Sequence, residues 1–151
     1  PVNPQLVDVV FDPAPAYQVG REKIREFAAA THVTDQQYLD VEVARSRGYA
    51  DVVAPPTFPI VIQEKTLAQL LSHPNSGIDF RKVVHGDQKF EYSRPIVAGD
   101  GLVATLSVTK VQSLGAHSMV TSESVMTTRD GEHVVTASST LVVRGDWTII
   151  S

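Results

Sequence analysis

Residues 56–71, PTFPIVIQEKTLAQLL, are a largely apolar segment that lies between a double proline and the turn-forming residues HPNSG. Proline is tolerated in the first turn of a helix, so we expect a helix to begin near Pro56 or Thr57 and to end before His73. The apolar residues surround the first half of this segment instead of forming one stripe. Such a pattern predicts a buried central helix.

The C-terminal half of the chain has a two-residue period instead. Residues 102–111, LVATLSVTKV, alternate between an apolar side and a side of valine, threonine and serine, which is typical of a strand. Asp130-Gly131 predicts a tight hairpin turn whose two central residues both take positive φ. The other β-rich runs are residues 89–96, 117–129 and 132–144. The sequence therefore predicts an antiparallel meander.

Residues 19–33, VGREKIREFAAATHV, predict a further helix, starting at Gly20 and with Ile24, Phe27 and Ala28 on one side. We therefore predict one α+β hot-dog fold over residues 1–151, in which a curved antiparallel sheet wraps the long central helix and the helix near Gly20 packs beside them. A single sheet of this kind leaves one edge and one apolar side uncovered. Pairing with a second such unit is the usual remedy, so we expect a dimer.

Composition excludes several classes of protein. The 151 residues carry a formal charge of −4 and have a pI of about 5.7, which gives no basic surplus for nucleic-acid binding. The absence of cysteine excludes disulfides, thiolate nucleophiles and zinc–thiolate sites, and fits a cytoplasmic location. No apolar run approaches the roughly 18 residues that a membrane-spanning helix needs.

Three separated motifs carry a resemblance to a known family: VGREKIREFA (19–28), GYADVVAPPTF (48–58) and HGDQKFEYSRPIVAGD (85–100). Together they resemble the MaoC-like hydratases and dehydratases, and more narrowly the HadA-type subunit of (3R)-hydroxyacyl-ACP dehydratase. The resemblance implies a hot-dog fold, an acyl-ACP or acyl-CoA partner and a role in fatty-acid or mycolate-type chain elongation. It also implies that a catalytic HadB-type subunit completes a heterodimer, with a homodimer as the alternative.

Dehydration of a β-hydroxyacyl thioester needs a base for the α-proton, an acid for the leaving hydroxyl and an N–H for the thioester oxygen. In catalytic members of the family an Asp and a His five positions later supply the acid and the base, and a Gly that opens the central helix supplies the N–H. The equivalent positions here hold Val33, Tyr38 and Pro56. Valine transfers no proton, a phenol is a poor base at neutral pH, and proline has no N–H. The resemblance thus implies a subunit without its own catalytic residues.

Substrate binding is expected around the double proline. A rigid apolar loop with tyrosines nearby suits the walls around a long acyl chain, although the segment from Phe58 to Ile62 also suits a simple core. The predicted substrate-binding residues are Tyr38, Tyr49, Pro55, Pro56, Phe58 and Ile62. The elimination requires no metal or organic cofactor, and no motif for either is present.

His85 and Asp87 are the alternative catalytic pair. They lie two apart on a predicted strand and would share a side of it, where they could act as acid and base or form a structural cluster with Gln88. Two alternative functions therefore stay open. One is a self-sufficient homodimeric enoyl-thioester hydratase or thioesterase, and the other is a non-enzymatic acyl-binding module.

Overall fold

The computed structural model describes residues 2–145, and within them one five-stranded antiparallel sheet curls around one long helix. The helices are α1 (Arg21–Ala30), α2 (Val41–Ser46) and α3 (Pro59–Ser72), with short 3-10 helices at Pro4–Asp8, Gln36–Tyr38 and Phe80–Lys82. The strands are β1 (Tyr17–Gln18), β2 (Val83–Tyr92), β3 (Gly101–Leu114), β4 (His117–Thr128) and β5 (His133–Val143), in the order β1-β3-β4-β5-β2. The predicted hot-dog fold is confirmed.

The central helix α3 begins later than its sequence predicts, at Pro59 instead of Pro56 or Thr57. Pro55, Pro56 and Pro59 have no N–H groups, so residues 55–58 form a turn before the helix begins. In this turn the N–H of Phe58 donates to the Pro55 carbonyl (2.8 Å). The helix ends before His73, as predicted. Only its sheet-facing side is buried, since Glu64 and Lys65 are exposed.

The strand alternation of residues 102–108 is confirmed by burial. Leu102, Ala104, Leu106 and Val108 are all buried and face α3. These four side chains belong to two clusters of apolar side chains that fill the space under the helix. One contains Phe58, Ile62, Ile96, Met126 and Val135, and the other contains Leu6, Leu67, Leu70, Val120 and Leu141. These two apolar clusters hold the helix in the concave side of the sheet.

The hairpin between β4 and β5 is present, but its turn differs from the predicted one. Gly131 has a φ of 89°, whereas Asp130 does not take positive φ, and the Gly131 N–H donates to the Thr128 carbonyl (3.0 Å). The arrangement is a longer loop in which glycine alone takes the left-handed conformation. The register between β4 and β5 shifts beside this loop, at Met126 and Thr127.

Helix α2 was not predicted from the sequence. Its six residues are too few for a hydrophobic period, and its formation depends on Asp40, whose carboxylate accepts from the N–H groups of Glu42 (2.8 Å) and Val43 (3.1 Å). Helix α1 begins after Gly20, as predicted, with Ile24 and Ala28 buried. No helix among residues 2–145 is long and apolar enough to cross a membrane.

We expect replacement of Phe58 by alanine to lower the free energy of unfolding by about 3–5 kcal/mol. The Phe58 side chain is fully buried, and its ring meets the Phe27 ring edge-on with 5.4 Å between centroids. Urea unfolding measures the loss. The control is Val10→Ala, because Val10 is 92% exposed and its truncation should change stability by less than about 0.5 kcal/mol. Equal stabilities of the two variants would contradict this packing.

Candidate functional site

A cavity of about 370 Å³ lies where the end of β2 approaches the loop that precedes α3. Its walls come from the 3-10 helix at Gln36–Tyr38, from Tyr49 in the loop after α2, from the loop before α3, and from the end of β2 with the segment that follows it. The lining residues are Gln37, Tyr38, Tyr49, Val53, Ala54, Pro56, Tyr92, Ser93, Arg94 and Pro95. Three tyrosines and two prolines make up half of these lining residues, and the charged lining residue is Arg94.

Backbone pairing holds the two loops of the cavity against each other. Val53 and Val97 form an isolated antiparallel bridge, the Ala54 N–H donates to the Ile96 carbonyl (2.8 Å) and the Ala98 N–H donates to the Val52 carbonyl (2.9 Å). The loop before α3 therefore cannot move independently of the segment after β2. This pairing fixes the wall that Val53 and Ala54 contribute.

Arg94 is fixed on the opposite wall by Asp100. The guanidinium donates to both oxygens of the Asp100 carboxylate (2.9 and 3.0 Å) and to the Pro95 carbonyl (3.0 Å), and it also faces Glu132. The Asp100 carboxylate additionally accepts from the Val97 N–H (2.9 Å). The hydrogen bond to Asp100 is the main reason that the pKa of Arg94 is raised above its usual value. The guanidinium is therefore a permanent and immobile charge beside the cavity.

Tyr92 joins the two walls across the cavity mouth. Its hydroxyl donates to the Pro56 carbonyl (2.6 Å), which anchors the double proline to the end of β2. Desolvation raises the pKa of Tyr92 above its usual value, and the nearby Tyr38 contributes in the same direction. The phenol therefore stays protonated around neutral pH and continues to donate this hydrogen bond.

Tyr38 is positioned by a polar network on the surface side. The Asp35 carboxylate accepts from the Gln37 N–H (3.1 Å) and from Arg47 (2.6 Å), and Arg47 also donates to the Gln37 amide oxygen (3.1 Å). The Gln37 carbonyl in turn accepts from the Val53 N–H (3.0 Å). The backbone hydrogen bond and the Arg47 contact both lower the pKa of Asp35. The short helix that carries Tyr38 is thereby tied to the loop before α3.

The structure brings together only some of the residues expected to bind substrate. Tyr38, Tyr49 and Pro56 line the cavity. Pro55 is a buried residue of the loop before α3 and is not part of the lining, and Phe58 and Ile62 lie in the apolar cluster under α3, with 0% and 2% exposure. The cavity therefore ends above the core, and Ala54 belongs to both the cavity wall and that cluster.

Of the three positions that the resemblance equates with catalytic residues, two line the cavity and one does not. Tyr38 and Pro56 line the cavity, whereas Val33 does not and is half-buried after α1, where its N–H donates to the Ala28 carbonyl (2.8 Å). None of the ten lining residues is a histidine, an aspartate or a glutamate. The lining offers hydroxyl and guanidinium donors to a carbonyl oxygen, but no side chain that exchanges a proton readily at neutral pH.

The expectation that His85 and Asp87 share one side of a strand is wrong. His85 pairs with Leu141 and Asp87 pairs with Thr140, so Gly86 is an additional residue that shifts the register by one and breaks the alternation. A Cβ on Gly86 would lie 3.3 Å from the Val142 side chain, which explains the glycine at this bulge. Both His85 and Asp87 are exposed, and neither lines the cavity.

Tyr92 and Arg94 were not singled out from the sequence, although both lie in the quoted motif at residues 85–100. The available signal was the segment SRPIVAGD, in which an arginine precedes an aspartate by six residues across a turn. The partners of these side chains, Pro56 and Glu132, are 36 and 38 residues away along the chain. Local pattern carries no information about such contacts.

Comparison with known proteins places this geometry in a family context. The family model described as "FAS1-like, dehydratase domain region" matches residues 5–137. A UPF0336 protein of Leifsonia xyli subsp. xyli is 63% identical over 146 residues, which cover 97% of this chain and 98% of the relative.

Two solved structures are similar in both sequence and fold. A chain of the C-terminally truncated HadBC complex of Mycobacterium tuberculosis, a (3R)-hydroxyacyl-ACP dehydratase, is 31% identical with a TM-score of 0.81, and the match covers 89% of this chain and 94% of that one. A MaoC-like dehydratase is also 31% identical with a TM-score of 0.81, but the match covers 91% of this chain and only 41% of that chain.

We expect Tyr92→Phe to destabilise the protein by about 1 kcal/mol, because it leaves the Pro56 carbonyl without its donor. The comparison variant is Tyr49→Phe, since the Tyr49 hydroxyl makes no hydrogen bond to any residue in the range 2–145. Chemical denaturation gives the stability difference, and amide hydrogen exchange at Thr57 and Phe58 reports loosening of the loop. Equal effects of both variants would show that the Tyr92–Pro56 hydrogen bond does not hold the loop before α3 against the end of β2.

We also expect Asp51→Asn to destabilise the protein in a pH-dependent manner. The Asp51 carboxylate accepts from Arg21 (2.9 and 2.8 Å) and from the Val52 N–H (2.7 Å), and the Arg21 contact is the main cause of its lowered pKa. Because the pKa of Asp51 is lower in the folded state than the value of about 3.9 in the unfolded state, the ionised carboxylate stabilises the folded state at pH values above about 3.9. That contribution is lost as the pH falls through the lower folded-state value.

The difference in unfolding free energy between wild type and Asp51→Asn should therefore be largest near pH 7 and should narrow below about pH 4. Urea titrations at several pH values measure it. Asp8→Asn is the control, because Asp8 is exposed and makes no ion pair within the described part of the chain. A difference that stays constant with pH would rule out the ion pair as its source.

Proposed function

We propose that this chain, which belongs to the FAS1-like dehydratase-region family, is the substrate-binding subunit of a (3R)-hydroxyacyl-ACP dehydratase. It would act in fatty-acid or mycolate-type chain elongation and pair with a catalytic hot-dog subunit that supplies an Asp and a His. Its own contribution would be the wall that holds the acyl thioester, made by Tyr38, Tyr49 and Pro56 in the cavity and by Pro55, Phe58 and Ile62 beneath it.

The observation that carries the proposal is a preserved cavity whose lining has no acid–base side chain. Tyr38 and Pro56 occupy the two positions where the resemblance places the catalytic base and the N–H donor, and both line this cavity. A cavity that holds a substrate but transfers no proton contributes to dehydration only if another subunit brings the catalytic groups.

The free edge of the sheet supports a paired state. β2 is the outermost strand, and among residues 2–145 no strand covers its other edge. An uncovered edge of ten residues with the exposed side chains Val84 and Tyr92 favours association. The similar HadBC dehydratase is a complex of two kinds of subunit, and the similar MaoC-like dehydratase has a chain more than twice as long as the matched region. In both proteins the matched region is therefore one part of a larger complex or chain.

The decisive experiment measures hydration of short- and long-chain enoyl thioesters by the pure chain, by a hot-dog subunit that carries the Asp–His pair, and by their mixture. We expect the chain alone to be at least about 100-fold slower than the mixture, because acid–base catalysis contributes about 10²–10⁴-fold. Replacing the partner's His by Ala should abolish the activity of the mixture, which assigns the chemistry to the partner.

In the mixture, Tyr38→Ala should raise KM for a long-chain substrate about tenfold with a smaller change in kcat, as removal of a binding contact does. Val10→Ala, on the exposed surface, is the control. Full activity of the pure chain, abolished by His85→Ala, would instead establish a self-sufficient enzyme. Acyl binding without activity in any mixture would favour the non-enzymatic acyl-binding module.

A further inference from the structure

A serine–histidine pair lies beside the cavity, just after the end of β2. Ser93 is one of the lining residues, and its Oγ atom lies 2.5 Å from Nδ1 of His133, the first residue of β5. The Nε2 atom on the other side of the ring lies 2.7 Å from Oγ1 of Thr136. Hydrogen bonds at both ring nitrogens therefore fix the orientation of the imidazole.

Ser93 is accessible to a molecule that enters the cavity, since it is exposed and belongs to the lining. His133 is half-buried and is not itself a lining residue. One hydrogen bond thus connects the lining, which contains no histidine of its own, to a side chain that exchanges protons near neutral pH.

The bond between these two side chains is not needed to attach the segment after β2 to β5. The Ser93 N–H already donates to the Val134 carbonyl (2.8 Å), and Tyr92 pairs with Val135 in the sheet register. Such backbone pairing joins the two segments whatever side chains stand at positions 93 and 133. Holding the fold together therefore requires neither a serine nor a histidine at these positions.

The arrangement is the one that a serine nucleophile needs. The tautomer of His133 that is protonated at Nε2 donates to Thr136, which leaves the Nδ1 lone pair to accept from the Ser93 hydroxyl. An imidazole in this position removes the proton of the hydroxyl as the oxygen attacks. Thr136 takes the place of the orienting carboxylate of a catalytic triad, and as a neutral group it holds the ring without balancing its charge.

A carboxylate on the neighbouring strand supplies negative charge near the ring. Glu91 lies directly opposite Thr136 in the register of β2 and β5. The hydrogen bond from Lys89 is the main reason that the pKa of Glu91 is lowered, and His133 contributes in the same direction. Negative charge at this place favours the imidazolium that forms when the Ser93 proton is taken.

We propose that Ser93 and His133 form a nucleophilic site that hydrolyses acyl thioesters entering the cavity. The Ser93 Oγ atom attacks the thioester carbonyl carbon while His133 takes the hydroxyl proton. The carbon–sulfur bond breaks, the thiol leaves with that proton, and an ester remains on Ser93. Water then attacks the ester with His133 as the base, which releases the carboxylic acid and restores the serine.

The Tyr38 hydroxyl is available to the thioester oxygen in this reaction. Tyr38 lines the same cavity, and its hydroxyl makes no hydrogen bond to any residue in the range 2–145. A donor of this kind stabilises the negative charge that develops on the carbonyl oxygen. The activity goes beyond the proposed function, since it needs no partner subunit and cleaves the thioester instead of eliminating water.

The test incubates the pure chain with a saturated acyl-CoA and follows the release of the free thiol with a thiol reagent. We expect release at least about 100-fold faster than in buffer, the lower end of what a positioned base contributes. Mass spectrometry after brief exposure to a p-nitrophenyl ester should locate the acyl group on Ser93. Ser93→Ala should abolish both signals, while Ser107→Ala, at an exposed serine of β3, should keep both.

His133→Ala should release thiol about 100-fold more slowly than wild type, and added imidazole should restore part of the loss because Ser93 is exposed. A variant that had merely lost its fold would not respond to imidazole. Thr136→Val should be about tenfold slower, the effect of one hydrogen bond, whereas Thr136→Ser keeps the hydroxyl and should match wild type.

Acyl groups found only on residues other than Ser93, or an unchanged rate in His133→Ala, would overturn the inference. A pure chain that releases no thiol would overturn it too, and the proposed function would still stand if the mixture with a catalytic subunit hydrates enoyl thioesters. Thiol release that depends on Ser93, without hydration in any mixture, would support the inference and count against the proposed function.

Discussion

The burial of α3 in the concave side of the sheet is the interaction on which the other elements depend. Phe58 and Leu70 insert at opposite ends of the helix, each into one of the two apolar clusters, and each is fully buried. Because the concave side of the sheet is apolar, it must be buried against another element, and α3 is the element that covers it. The loop before α3 is then held at the end of β2, and the cavity forms where these two segments meet.

The cavity combines a rigid frame with a lining in which no residue is a histidine, an aspartate or a glutamate. Its frame depends on the Arg94–Asp100 pair and on the Tyr92–Pro56 hydrogen bond, both of which join segments that are held by the sheet. Rigid, preorganised walls bind a substrate at a low entropic cost. Tyr38 supplies no imidazole base and Pro56 no backbone N–H at the two positions where the resemblance places these groups, which is consistent with a division of labour between two subunits.

Most of the fold could be predicted, because its signals are local. The period of residues 102–108 and the apolar run from Phe58 to Leu71 identify the strand and the helix without knowledge of any contact. Turn geometry was less predictable, since only Gly131 of the Asp-Gly pair takes positive φ. Whether both central residues do so depends on the register that the flanking strands adopt when they pair.

The sequence by itself determined the fold class, the helix α3 and the absence of an Asp–His pair at the family's positions, because periodicity and residue identity are properties of the linear chain. Tertiary structure alone decided that a bulge at Gly86 places His85 and Asp87 on opposite sides of β2, and that the Tyr92 hydroxyl donates to the Pro56 carbonyl. It also decided that unpartnered polar side chains on β2, β4 and β5 lie in one row with Gln63 of α3. Each of these depends on register and on contacts between residues distant in the chain, and such contacts exist only after the sheet has closed around the helix.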